Sequence, residues 1–69
     1  MQRIPVSSSN VESVGYDEDS GTLEVEFKNG TLYQYFDVPS NIYNSLMSAS
    51  SVGGFLASSI KGSYRYSKV

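Results

Sequence analysis

"LEVEFKNGTLYQYFDVP", Leu23 to Pro39, is the stretch on which the fold turns. In its first half Leu23, Val25 and Phe27 alternate with Glu24, Glu26 and Lys28, the period of a half-buried antiparallel strand. Asn29-Gly30 reverses the chain, and a second strand runs to Pro39, which has no N–H to give to a ladder. The register of this pair decides where Tyr33 and Tyr35 point. With Asn29-Gly30 as a two-residue turn, Phe27 faces Leu32, Val25 faces Gln34 and Leu23 faces Phe36, and the tyrosines lie outside as a binding surface. With Lys28-Asn29-Gly30 as a three-residue loop and Gly30 in a bulge, Phe27 faces Thr31, Val25 faces Tyr33 and Leu23 faces Tyr35, and the tyrosines turn inward. A one-residue slip exchanges the two faces. Burying Leu32 and Phe36 is worth roughly 1.5–3 kcal/mol each, but it sets Gln34 between them. Burying the tyrosines covers larger rings whose hydroxyls need only reach the edge of the core. Local physics names no winner.

Working outward, "NVESVGYDEDSG" (Asn10 to Gly21) begins as a strand with Val14 and Tyr16 on one face and dissolves into an acidic turn. After Pro39 the period changes. Ile42, Leu46 and Ala49 recur at helical spacing, as do Tyr43 and Met47, which gives an amphipathic helix. Ser50 or Ser51 can cap a second short helix carrying Val52, Phe55, Leu56 and Ile60. Gly53 and Gly54 weaken its start by about 1 kcal/mol each relative to alanine, so a close contact is expected there. Gly62 stops the helix, and "SYRYSKV" (Ser63 to Val69) reads as a last extended segment. The predicted fold class is α+β: a three-stranded antiparallel meander, with a fourth strand from the C-terminal segment, and two short helices packed on one face. The expected core is Leu23, Val25, Phe27, Ile42, Leu46, Phe55, Leu56 and Ile60.

Sixty-nine residues allow a single domain, 1–69, that buries about 60% of its unfolded surface; residues 1–9 read as a flexible arm. Neither cysteine nor histidine occurs, so no disulfide, thiolate metal site or imidazole base is available. The net charge of −2 argues against a generic phosphate-binding surface. "MQRIPVSSSN" lacks the apolar core of a signal peptide, and no apolar run spans a bilayer. A cytoplasmic monomer away from membranes is expected.

"SSNVESVGYD", "LEVEFKNG", "YQYFDVP", "IYNSLMSASSVGGF" and "IKGSYRY" together resemble the KTSC domain, a bacterial domain with a central Tyr-x-Tyr motif, found alone or at the C-terminus of some lysyl-tRNA synthetases. The resemblance covers nearly the whole chain. It implies the bulged register, with Tyr33 and Tyr35 inward and structural, and it raises RNA as a weak partner through the company the domain keeps. Relatives tend to carry Asn and basic residues where this chain has Ala57, Ser58 and Ser59, which weakens the case for phosphate binding there.

RNA modules stack unpaired bases on aromatic rings flanked by Arg and Lys. Lys61, Tyr64, Arg65, Tyr66 and Lys68 are the one local concentration of such residues, with Lys61 and Arg65 as the expected phosphate contacts. The plainer reading of the same segment is an edge strand guarded by charge. The competing function is a protein-interaction module using a sheet edge or the Leu32/Phe36 face. Asp17 and Asp19 invite calcium, but an EF-hand loop needs glycine and glutamate where Thr22 and Lys28 stand, so no metal or other cofactor is expected. Catalysis finds no footing either. Ser59 and Lys61 are two apart and do not share a helix face, and Glu24 and Glu26 are expected in the open on one strand face, so no enzyme is predicted.

Overall fold

The computed structural model describes residues 1–69. Five antiparallel strands follow one another in sheet order as in sequence: β1 (Arg3–Pro5), β2 (Val11–Asp17), β3 (Thr22–Phe27), β4 (Leu32–Tyr35) and β5 (Tyr66–Lys68). Between β4 and β5 the chain forms α1 (Ser40–Ser48) and α2 (Val52–Phe55), the latter continuing into a π-helical turn (Leu56–Ile60). The fold is the α+β arrangement expected, with two more strands than the three-stranded core of that expectation. β5 is the C-terminal strand foreseen. β1 corrects the reading of residues 1–9 as a flexible arm, because Arg3, Ile4 and Pro5 pair with Gly15, Val14 and Ser13. No hydrophobic alternation announces β1; its anchor is polar and lies on the other face of the sheet.

The hairpin takes the bulged register. Leu23 pairs with Tyr35 and Val25 with Tyr33, while the Phe27 amide donates to the Thr31 carbonyl and the Gly30 amide to the Phe27 carbonyl, both at 2.9 Å. Gly30 sits at φ +91°, a conformation that costs any L side chain but not glycine. A second irregularity lies in β2, where the pairing shifts between Val11 and Ser13. The extra residue, Glu12, lets Val11 face Phe27 and Val14 face Val25, so residues three apart share the core face. Ser13 is thereby turned to the other side, opposite Glu26.

The helices close over the face so formed. The core unites Val11, Val14, Leu23, Val25, Phe27, Tyr35 and Val38 with Leu46, Val52, Leu56 and Ile60, and Ile42, Phe55, Tyr33 and Tyr64 pack at its margin. Of the eight core positions expected, Ile42 on the first turn of α1 and Phe55 at the end of the single-turn α2 are thus marginal. Ser51 caps α2, its Oγ accepting from the Gly54 amide at 3.1 Å. A side chain on Gly53 would stand 2.5 Å from the Asn10 Oδ1, which is the close contact the paired glycines foretold. No helix is long and apolar enough to cross a membrane.

Candidate functional site

An open groove of about 500 Å3 lies at the end of the core face, lined by Phe27, Asn29, Thr31, Tyr33, Tyr35 and Tyr66 together with Lys61 and Gly62. Its aromatic wall is built by register. Tyr33 and Tyr35, two residues apart on β4, share a face, and β5 sets Tyr66 opposite Tyr35. The rings of Tyr33 and Tyr66 stand 5.8 Å apart at 29°, and those of Tyr33 and Tyr35 6.4 Å apart at 21°. Phe27 meets Tyr33 edge-on at 5.7 Å, a favourable quadrupole arrangement. From α2 the wide turn ends where the Lys61 amide donates to the Leu56 carbonyl at 2.8 Å, five residues back as a π-turn requires. Its ammonium lies 5.2 Å from the centre of the Phe27 ring, within cation–π range. Burial first, then the neighbouring phenols of Tyr33 and Tyr66, push the Tyr35 hydroxyl above its usual range, so it keeps its proton at neutral pH.

The five residues singled out from sequence divide between two places. Lys61 and Tyr66 line the groove, and Lys68 pairs with Tyr33, which puts it on the same face of the sheet. Tyr64 and Arg65 line an adjoining depression with Phe36, to which Tyr66 also contributes. There Arg65 donates to the Asp37 carboxylate at 2.8 Å and lies 6.0 Å from the Phe36 ring. Lys61 and Arg65, expected as companions, therefore serve different surfaces. Tyr33 and Tyr35 are inward as the bulged register requires, yet both still border the groove. Phe27, Asn29 and Thr31 were not foreseen there. Nothing but the bulged loop, which brings its own residues beside Tyr33, could have signalled them.

The opposite face of the sheet carries polar chemistry of another kind. Glu24, expected in the open, is 8% exposed because Arg3 of β1 crosses to it and forms an ion pair. Gln34 donates to its other oxygen at 2.9 Å. Arg3 also donates to Ser13 at 3.1 Å, and Ser13 in turn to Glu26 at 3.0 Å. The hydrogen bond from Gln34 is the largest cause holding the Glu24 carboxyl below its ordinary value; burial opposes it and Arg3 reinforces it. This cluster is fully partnered and encloses no groove. In the acidic turn Asp17 accepts from the Asp19 amide and from Ser20, so its oxygens are spent on the turn itself.

The sequence profile of the KTSC domain matches residues 7–64. The chain is 39% identical over 70 residues to an uncharacterized protein of Stutzerimonas stutzeri, covering all of this chain and 99% of that protein. Over 61 residues it is 33% identical to a lysine–tRNA ligase of a Nostoc species, of which it spans only 11%. Among solved structures it superposes on a KTSC domain protein from Yersinia pestis with a TM-score of 0.93 at 45% identity, covering 99% of this chain and 96% of that one.

Proposed function

This chain belongs to the KTSC domain family, and on that premise we propose that it is a non-catalytic module that binds single-stranded RNA weakly. The observation that carries the reading is the meeting of Tyr33, Tyr66 and Lys61 in one open groove. Aromatic faces stack unpaired bases of any sequence, and a cation beside them takes the phosphate. Lysine–tRNA ligases carry a region like this chain, and their name puts tRNA among their substrates. Tyr66, 60% exposed, offers the freest ring. Lys61 and Lys68 supply the charge, because Arg65 is already engaged by Asp37. With two or three phosphates neutralised on a molecule of net charge −2, affinity is low and its salt slope only about −1.5 to −2.

The test is a titration of labelled single-stranded RNA at low salt. Lys61→Glu is expected to abolish binding with little change in melting temperature, and Arg65→Glu to weaken it less. A parent that binds no RNA, or a Lys61→Glu variant that binds as well as the parent, overturns the reading. The exposure of all three β5 residues at the sheet edge favours the second reading, a protein-interaction module. Its binding would rest on edge pairing and apolar burial and tolerate salt.

A further inference from the structure

The Tyr35 hydroxyl carries the groove beyond a generic stacking surface. Tyr35 is 1% exposed and its ring belongs to the core. Every fully buried side-chain oxygen and nitrogen in the chain has a hydrogen-bond partner, whereas the Tyr35 hydroxyl has none. The hydroxyl must therefore touch solvent, and the surface its residue borders is the groove. A polar tip held on a buried stem cannot swing away, so it is fixed and unspent. Beside the Tyr35 ring stand those of Tyr33 and Tyr66, 6.4 and 5.9 Å away between centres, and Lys61 lines the same groove. The open groove's volume of about 500 Å3 falls among sites that hold one small molecule.

We infer that this groove is a pocket for a single nucleotide, in which the base lies against Tyr33 and Tyr66, the Tyr35 hydroxyl hydrogen-bonds the edge of the base, and Lys61 takes the phosphate. The inference rests on the RNA reading above and deepens it. The shared chemistry is a base joined to a phosphate, supplied by an unpaired residue of an RNA or by a free nucleotide. Tyr35 is then the residue that sets specificity, because a hydroxyl that loses its water to a base lacking a matching group is left unpaired.

Two titrations on the folded 69-residue chain decide it: one with labelled single-stranded RNA, one with each of the four ribonucleoside 5′-monophosphates, free and as competitors. A mononucleotide should bind and displace the RNA. Tyr35→Phe should weaken both about two- to tenfold, the worth of one neutral hydrogen bond, while leaving the melting temperature unchanged, since the hydroxyl has no partner in the fold. Tyr66→Ala, at an exposed position, should weaken both without touching the core. RNA binding that no mononucleotide displaces, or that Tyr35→Phe leaves intact, overturns the pocket and spares the RNA reading. Mononucleotide binding without RNA binding removes the RNA reading and keeps the pocket. Binding of neither removes both.

Discussion

At the scale of single residues, Gly30 decides the architecture. Its φ of +91° makes the three-residue loop possible, and that loop puts Tyr33 and Tyr35 on the core face. An added Cβ would meet no atom within 4 Å, so only backbone strain opposes a side chain there. Gly30→Ala is therefore expected to cost about 1–2 kcal/mol, readable by urea denaturation, and D-alanine at the same position should cost far less. Equal losses from both enantiomers would point to packing and against the bulged loop. The sequence alone left the two registers nearly degenerate, because Leu32 and Phe36 against Tyr33 and Tyr35 is a contest between similar buried areas. The structure shows what tips it. Tyr35 reaches from the core to the groove with its hydroxyl still wet, and Gln34, which the other register would have set on the core face, instead serves Glu24.

At the scale of elements, the clear periods were legible and the irregular pieces were not. β3 buries its apolar stripe, and Leu46 of α1 is fully buried where the spacing of Ile42, Leu46 and Ala49 placed it. Leu46→Ala should cost about 2–5 kcal/mol. That is comparable to the whole stability of so small a domain, roughly 3–5 kcal/mol, so circular dichroism at 37 °C should show a largely unfolded chain. A variant melting with the parent would mean that α1 is not the lid of the core. β2 was recognised, but its bulge was not, since Val11 and Val14 are an odd number apart and no alternation links them. β1 escaped because its anchor is a lone arginine. The C-terminal segment was seen as a cluster of Lys, Arg and Tyr, but its division between two surfaces depends on the pairing of Tyr66 with Tyr35, which sequence cannot supply.

At the scale of the whole molecule, the two faces of the sheet are stabilised differently. One is closed by helices through apolar burial; the other is tied by polar contacts from Arg3 on β1, which donates both to Ser13 on β2 and to Glu24 on β3, with Gln34 on β4 donating to Glu24 as well. Three of the five strands thus meet at one buried carboxylate, with β2 joined to it only through Ser13 and Arg3, and the global stability should follow its charge. The Glu24 carboxyl is held below its ordinary value of 4.5 in the fold. The unfolded chain therefore takes up the proton first as pH falls, and the folded state loses the contribution progressively. That contribution is fully present above the ordinary value and disappears as pH drops through the lowered one. Thermal melts from pH 7 to pH 3 should show the parent losing stability below about pH 4.5. Glu24→Gln, which keeps the shape but not the charge, should be less stable at pH 7 and flatter across this window, because Arg3 then faces an uncharged amide. Arg3→Met should share the loss at pH 7 and keep part of the slope, since the bond from Gln34 remains. If Glu24→Gln follows the same acid profile as the parent, the acid sensitivity does not come from Glu24, and the polar face is packing alone.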